Sequence, residues 1–386
     1  MDKQITKIVL TGGPCAGKTT GLSYLSQKLS DIGYRVVVVP EYATEVINSG
    51  ISPNANIANY NFQSNILLGQ LEREGRYLSF VDCLENEKIV VIFDRGTLDS
   101  KAYIDKESWH VLLEELDLNE VKLRDERYDA VIHMRTVAFG KEEFYTKENN
   151  EARYESPEEA RLSDEKTLSS WIGHPHLRVI DNRDDFASKI HRVLAEVLHV
   201  LGEPIPLEIE RKYLVNGSFD WKTIPAHYQE IDIEQAYLTT DRRIRKRGQG
   251  GVFIYTETHK EDIGGSFVRT EVERRISSRE YHEKLKLLIP KSVIIKKKRV
   301  CFVYNEQYFE LDFFTDMNQG PYLEIELTDK NHGINLPPWI PVIRDVTEEK
   351  DLSNRALALH SCCHSEPDSE SRFKSRQDLD PKSNLG

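Results

Sequence analysis

The chain has 386 residues, of which 39% are hydrophobic and 30% are charged, and these values are ordinary for a globular protein. Its formal net charge of −12 argues against a general nucleic-acid-binding protein, which usually has a basic balance. No apolar run approaches the roughly 20 residues that span a bilayer, and the scattered cysteines show no metal-type spacing. We therefore expect a cytoplasmic protein of two domains, in which any contact with membranes or vesicles is peripheral.

Residues 1–201 alternate between short β-branched runs and stretches with helical spacing of apolar residues. The strand-like runs are residues 5–10, 35–40, 89–93, 130–134 and 177–180. Continuous apolar strands separated by helices are typical of a parallel sheet covered by helices on both faces. We therefore predict an α/β domain over residues 1–201.

Residues 12–19 match the phosphate-binding sequence G-x-x-x-x-G-K-[ST], between a predicted strand and a predicted helix. In such a loop, backbone N–H groups and the helix N-terminus bind phosphate, the lysine reaches the β- and γ-phosphates, and the hydroxyl ligates Mg²⁺. A glycine-rich turn that matches by chance is the alternative. The motif predicts a P-loop NTPase or kinase-like domain that binds GTP or ATP. The sequence does not decide between the two bases, although residues 179–182 lie where such folds often hold the base. The predicted nucleotide-binding residues are Gly12, Gly13, Pro14, Cys15, Ala16, Gly17, Lys18, Thr19 and Thr20.

Two carboxylates that end predicted strands are candidates for chemistry. Asp94 follows a buried run, where nucleotide enzymes hold Mg²⁺ together with a residue such as Thr19, although an aspartate also caps such turns. Glu41 lies where kinase-like P-loop proteins place the base for the accepting hydroxyl, and a solvated carboxylate is the alternative. Arg153, near an acidic helical segment, is a candidate lid arginine, with surface salt bridging as its alternative. We predict catalytic roles for Glu41, Asp94 and Arg153.

The chain changes character after residue 201. Residues 202–206 contain two prolines and predict a linker, residues 207–360 predict strands in succession, and the polar residues 361–386 predict a disordered tail. The predicted strands carry charges at every second position, which places those charges on one face. One interpretation is a set of exposed ladders, and the other is a barrel with a charged interior and an apolar outside covered by helices. The ladders include Glu208, Glu210, Lys212, Arg243, Arg245, Arg247, Lys260, Arg269, Glu271, Glu273, Lys297, Arg299, Glu310, Asp312, Glu324 and Glu326.

This ordered set resembles the signature of the CYTH superfamily, whose domains form triphosphate tunnels. The resemblance implies a mainly antiparallel β-barrel in which Glu208, Glu210, Glu324 and Glu326 hold Mg²⁺ or Mn²⁺ and a metal-activated water hydrolyses the ligand. A sheet with salt-bridged exposed faces, or binding without turnover, is the alternative. The predicted ligands of the triphosphate or other anion are Lys212, Arg243, Arg245, Lys260, Arg269, Lys297 and Arg299.

Almost all of residues 1–360 resembles the TRPL translocation defect protein family. The segments that carry this resemblance are residues 12–20, 40–44, 94–96 and 208–215. The resemblance implies guanine-nucleotide binding, binding of phosphatidic acid or phosphoinositides, and a role in vesicular trafficking of membrane proteins. Our first hypothesis is therefore a nucleotide- and lipid-binding trafficking regulator. The alternative is a bifunctional enzyme, with a P-loop kinase or NTPase domain and a metal-dependent CYTH triphosphatase domain.

Overall fold

Five parallel strands form the first sheet, which confirms the α/β prediction. This computed structural model describes residues 3–53, 56–142, 156–203, 209–262, 269–317, 319–327 and 333–360. The strands pair in the order β2-β3-β1-β4-β5, so that β1 lies in the middle. Their bounds are β1 Gln4–Thr11, β2 Arg35–Val39, β3 Lys88–Asp94, β4 Ala130–Met134 and β5 Leu177–Ile180.

Helices cover both faces of this sheet. Alternate residues of β1 serve the two sides, because Leu10 packs with α1 and α6 while Val9 packs with α3, α4 and α5. The fully apolar strands follow from this two-sided burial. The helices are α1 Lys18–Asp31, α2 Tyr42–Asn48, α3 Asn59–Asp82, α4 Lys106–Glu115, α5 Pro157–Trp171 and α6 Phe186–Val200.

Nine antiparallel strands form the second sheet, in the order β10-β9-β8-β7-β11-β12-β13-β6-β14. Their pairing confirms the predicted change from a parallel to an antiparallel sheet. We call residues 3–203 the parallel-sheet region and residues 209–360 the antiparallel region. The strands are β6 Ile209–Val215, β7 Tyr228–Tyr237, β8 Arg242–Gln249, β9 Val252–Asp262, β10 Arg269–Ile276, β11 Ile295–Tyr304, β12 Gln307–Phe314, β13 Tyr322–Leu327 and β14 Val342–Asp345, with helices α7 Ser278–Lys284 and α8 Asn354–His360.

The two faces of the second sheet differ as their alternation predicts. One face of β11, β12 and β13 buries an apolar cluster, and a single 3-10 turn at Trp221–Thr223 and an irregular segment around Trp339 pack on that cluster. Helix α7 instead packs on β7 and β8, through Tyr281. The expected helical cover is therefore only partial. The opposite face carries the charged positions, and we call it the charged face.

The charged face lies between two apolar contacts. At one end, Ile231, Ile233 and Cys301 join the core beneath α3, α4 and α5, so the two sheets share one hydrophobic cluster. At the other end, Leu357 and Ala358 of α8 pack with residues of β7, β11 and β13. The charges between these ends are therefore partly enclosed by protein. Among the described residues, no helix is both long and apolar enough to cross a bilayer.

The predicted domain limits, 1–201 and 207–360, remain predictions. Most of the predicted linker, at residues 204–206, and the predicted tail at residues 361–386 lie outside the described residues.

Candidate functional site

The phosphate-binding motif forms a tight loop between β1 and α1. Gly12 has φ 139° and Gly17 has φ 89°, both in the region that favours glycine. A Cβ atom at Gly12 would lie 2.0 Å from the Met134 carbonyl oxygen, and one at Gly17 would lie 2.5 Å from the Phe186 ring. Both positions therefore exclude side chains, which lets the chain turn closely over the sheet edge and into the helix N-terminus.

Lys18 folds back over this loop. Its Nζ donates hydrogen bonds to the carbonyl oxygens of Gly12 at 2.9 Å and Gly13 at 3.0 Å. Burial, with the nearby Arg95 charge, lowers the pKa of Lys18 to about 8, although Glu41 and Asp94 oppose this. The two carbonyl oxygens stabilise the Lys18 charge only weakly. A phosphate bound on the loop would supply a full negative charge opposite it.

Glu41 and Arg95 form an ion pair at the same sheet edge. Glu41 follows β2 and Arg95 follows β3, and their Oε1 and Nε atoms are 2.7 Å apart. Thr44 Oγ1 donates to Glu41 Oε2 at 2.7 Å. Burial alone would raise the pKa of Glu41, but Arg95 and Lys18 outweigh it and hold this pKa below its usual value. Glu41 is therefore an ionised, oriented carboxylate beside the loop lysine.

Asp94 provides the test of whether a metal ion fits here. Its Oδ1 is buried and has no hydrogen-bond partner among the described residues. Burial raises the pKa of Asp94, and the Lys18 charge opposes that shift. A buried carboxylate oxygen without a donor suits Mg²⁺, which is usually held through one or two carboxylates with water and phosphate oxygens. Thr19, the predicted hydroxyl ligand, is exposed at the start of α1.

No larger metal cluster accompanies Asp94. Within the part of the chain that the structure describes, no three His, Cys, Asp or Glu side chains gather in a way that could hold a metal ion. A Mg²⁺ ion at this sheet edge would therefore be held by Asp94, Thr19 and the oxygens of a phosphate ligand.

Three buried residues hold the loop and the end of β1 in place, and sequence reasoning missed two of them, Asp164 and Lys189. Asp164 of α5 accepts the Gly13 backbone N–H at 2.6 Å. Lys189 of α6 donates to the Ala16 carbonyl at 3.0 Å, and burial lowers its pKa to about 7. Asp99 accepts from Thr11 Oγ1 at 2.6 Å. Asp164 and Lys189 lie far from the motif along the chain, and no local pattern marks them.

A cavity lies beside the loop, on the side of β4 and β5. Its volume is about 300 Å³. The Asn182 amide donates to the Thr136 and Phe139 carbonyls, and so fixes the wall formed by the turn after β4. The segment 179–182 was a weak sequence signal for the base. The lining residues are Arg135, Phe139, Gly140, Asp181, Asn182, Arg183 and Glu306.

Buried ion pairs occupy the middle of the charged face. Arg299 binds Asp312 through Nε and Nη2, both at 2.7 Å, and its Nη2 donates to Glu324 at 2.9 Å. Lys297 pairs with Asp312, and Arg299 also pairs with Glu310. The ladder is therefore not exposed at these positions, because the side chains of Lys297, Arg299 and Asp312 are all less than 10% accessible.

The two predicted metal ligands of β13 face cations. Glu324 lies 3.1 Å from Lys212 Nζ. Glu326 lies 2.7 Å from Arg178 of β5 and 3.2 Å from His199 of α6, so both of its partners belong to the parallel-sheet region. Burial would raise the pKa of Glu326, but Arg178 and His199 hold this pKa well below its usual value. These carboxylates are compensated by protein cations, so we derive no step through a metal here.

Arg245 is the clearest candidate for an anion ligand on the charged face. Burial, with repulsion from Arg243 and Arg299, lowers its pKa to about 10. Its Nη2 donates to the neutral Gln235 amide at 3.2 Å. Its Nε is buried and has no hydrogen-bond partner among the described residues, so this guanidinium keeps a donor for an anion.

Other predicted positions serve the contact between the two sheets or lie outside the description. Arg247 points to the parallel-sheet region, where its Nη1 lies 2.6 Å from Asp125 and its Nη2 bonds the Gly173 carbonyl. Glu210 is exposed. Four remaining positions lie outside the described part of the chain, namely Arg153 and Glu208 as whole residues and Lys260 and Arg269 in their side chains.

Comparison with known proteins supports the predicted α/β fold of the parallel-sheet region. Residues 7–189 match the family model described as an AAA domain, which contains the loop and all five parallel strands except the first residues of β1. No curated protein matched the chain. The chain is also similar to two solved structures of the protein NE1496, described as a hypothetical protein and as an inorganic triphosphatase. Identities are 29% and 27%, coverage is 40% of this chain and 98% and 96% of the other, and the TM-score is 0.29 for both.

Proposed function

We propose that the parallel-sheet region is a nucleoside-triphosphate-dependent kinase or NTPase, and that the antiparallel region binds a second polyphosphate on its charged face. This is the bifunctional alternative of the sequence analysis. The observation that carries it is the meeting of Lys18, Glu41, Asp94 and Arg95 at the edge of the sheet beside the phosphate loop. A simple anion site would need the loop and its lysine but not the two carboxylates.

Each residue at this edge has a distinct role in the proposal. The loop amides and Lys18 bind the β- and γ-phosphates, and Asp94 with Thr19 would hold Mg²⁺. When bound, Mg²⁺ neutralises negative charge on the phosphates. Glu41, ionised and oriented by Arg95 and Thr44, accepts the proton of the attacking hydroxyl or water. The AAA domain match over residues 7–189 supports the nucleotide assignment.

Turnover of GTP and ATP by the purified chain with Mg²⁺ tests the first site. Lys18→Ala should abolish nucleotide binding, because the loop loses the lysine that binds the β- and γ-phosphates. Glu41→Gln should keep binding but lower kcat by about 10²–10⁴-fold, the usual contribution of a general base. Glu45→Gln is the matched control, because Glu45 is an exposed carboxylate in α2, the short helix that follows Glu41. Nucleotide binding without turnover in the wild-type chain would contradict the enzyme assignment.

The second site rests on Arg245, whose Nη2 donates to the neutral Gln235 amide and whose buried Nε has no hydrogen-bond partner among the described residues. Inorganic triphosphate should bind the Lys18→Ala variant, in which the first site is removed. In that background Arg245→Ala should weaken binding, whereas Arg242→Ala, on the exposed side of the same strand, should not. Phosphate release from triphosphate that Arg245→Ala lowers and Lys18→Ala leaves intact would support turnover at this second site. Equal binding by both arginine variants would contradict the second site.

The regulator hypothesis, with an acidic phospholipid as partner, stays a prediction. The outward lysines of β11 are its best local candidates, but Lys296 pairs with Asp316, and Lys298 pairs with Glu230 and Asp232. Paired lysines attract anionic lipid less than free ones do. Flotation with liposomes that contain phosphatidic acid at low salt tests the hypothesis, and failure to float would contradict it.

A further inference from the structure

One wall of the cavity beside the phosphate loop comes from the other sheet. Six of its lining residues follow β4 or β5, whereas Glu306 belongs to the turn between β11 and β12. This hairpin therefore reaches across the contact between the two regions, to the edge of the nucleotide site. Residues 179–182 gave a sequence signal for the base at this place, whereas no local pattern pointed to residue 306.

The tip of the hairpin has an unusual backbone for its sequence. Asn305 has φ 45° and Glu306 has φ 61°, as in the tight two-residue turns that join antiparallel strands. Asparagine is common at such positions, whereas a glutamate with positive φ is uncommon. Glycine would fit the second position with less strain, so the side chain of Glu306 is a candidate for a functional role.

The carboxylate of Glu306 is held by an arginine in the cavity wall. Arg135 Nε lies 2.6 Å from Glu306 Oε2, and Nη2 donates to Oε1 at 3.1 Å. The Arg135 guanidinium also lies over the Phe139 ring, at 4.1 Å from its centroid. Each carboxylate oxygen has two lone-pair sites, so a carboxylate bound edge-on to one arginine keeps acceptor capacity for a ligand.

The same arginine leads to the phosphate loop. Arg135 Nη1 lies 2.6 Å from Asp164 Oδ2, and Asp164 Oδ1 accepts the Gly13 backbone N–H at 2.6 Å. The Thr136 hydroxyl, one residue further on, donates to the Pro14 carbonyl. The cavity is therefore adjacent to the loop and shares its supports, so a ligand with phosphates on the loop can extend into it.

We propose that this cavity receives the base of the nucleotide whose phosphates lie on the loop, and that Glu306 contacts that base from the antiparallel region. The proposal rests on the nucleotide site of the proposed function. A volume of about 300 Å³ is at the lower end for small-molecule sites and suits part of a ligand. The half-buried ring of Phe139 lines the cavity and offers a stacking surface, and the carboxylates of Asp181 and Glu306 accept N–H groups from the base edge.

The chemistry distinguishes two ways in which Glu306 could act. If it contacts the base, its effect depends on the donors that each base presents. Guanine presents an N–H and an amino group side by side, while adenine presents an amino group beside an acceptor nitrogen. If Glu306 only positions Arg135, every nucleotide loses the same factor, because all share the phosphates.

Calorimetric titration of the full chain with GTP, ATP, CTP and UTP, each with Mg²⁺, tests the proposal. Glu306→Gln keeps the size of the side chain but replaces one acceptor oxygen by a donor. We expect the ratio of GTP to ATP affinity to fall at least fivefold. Glu349→Gln, an exposed carboxylate paired with Arg344, is the control and should leave every ratio unchanged. Thermal melting of each variant verifies that it is folded.

The outcomes separate this inference from its premise. An unchanged set of ratios in Glu306→Gln, or an equal loss for all four nucleotides, overturns the role of Glu306 in base contact. Nucleotide binding that Lys18→Ala does not weaken overturns the nucleotide site itself, and the inference with it.

Discussion

Asp164 should be the most sensitive single position for the stability of the phosphate loop. Its carboxylate is fully buried and meets four groups, namely the Gly13 N–H at 2.6 Å, the Thr136 N–H at 3.2 Å, Arg135 Nη1 at 2.6 Å and His133 Nε2 at 3.3 Å. Asp164→Asn keeps the shape of the side chain but removes the negative charge opposite Arg135. If the remaining oxygen still accepts the Gly13 N–H, the new amide N–H groups point at the Arg135 guanidinium, which is itself a donor.

The magnitude follows from the buried pair. Removing one partner of such a pair costs about 3–5 kcal/mol, because the other charge stays buried without compensation. Glu306 still faces Arg135, so we expect the lower end, about 3 kcal/mol at neutral pH. Urea denaturation followed by tryptophan fluorescence measures this loss, and Trp171 of the same helix is a buried reporter.

The pH dependence gives an independent measurement. Burial would raise the pKa of Asp164, but His133 and Arg135 outweigh it and hold this pKa below the usual value. A carboxylate with a depressed folded-state pKa contributes stability above its unfolded pKa of about 3.9, and loses it as the pH falls through the folded value. The difference between wild type and Asp164→Asn should therefore shrink in acid.

A matched control lies on the same helix. Glu158 is 74% exposed and pairs with Arg161, so Glu158→Gln should change stability by less than about 0.5 kcal/mol. A loss below about 1 kcal/mol for Asp164→Asn, or a loss equal to that of the control, would refute the reasoning.

Three further predictions concern the loop and the contact between the sheets. Because the pKa of Lys18 is about 8 and phosphate binds its charged form, nucleotide affinity should fall up to tenfold per pH unit above pH 8 in titrations, and a flat profile from pH 7 to 9 would contradict this. Gly12→Ala should abolish nucleotide binding, because its Cβ would overlap a carbonyl oxygen of β4, whereas Gly217→Ala, with open space around its Cβ, should bind normally. Arg247→Met should destabilise the chain by about 3 kcal/mol in denaturation, because it leaves the buried Asp125 with one cation fewer, and a loss under about 1 kcal/mol would exclude a structural role for that pair.

Much of the fold could be predicted because its signals are local. The apolar runs and their spacing predicted the parallel sheet, and strand alternation placed the ladder charges on one face, as Arg299 and Asp312 confirm. Other expectations needed correction. The apolar face of the second sheet is only partly covered by helices, and Arg247 of the ladder pairs with Asp125 of the parallel-sheet region. Alternation specifies the face on which a side chain lies, but not which other part of the chain covers that face.

The sequence by itself determined the phosphate loop, because a backbone cradle depends on a few consecutive residues whose glycines permit the turn. It also determined the division between a parallel and an antiparallel sheet, which depends on local periodicity. Only the tertiary structure decided that Glu326 meets Arg178 and His199, that Asp164 holds Gly13, and that Glu306 enters the wall of a cavity in the other sheet's region. Such ion pairs and hydrogen bonds join residues more than 100 positions apart. The packing of α5 on the first sheet brings Asp164 to Gly13, and the packing of one sheet against the other brings the remaining partners within reach.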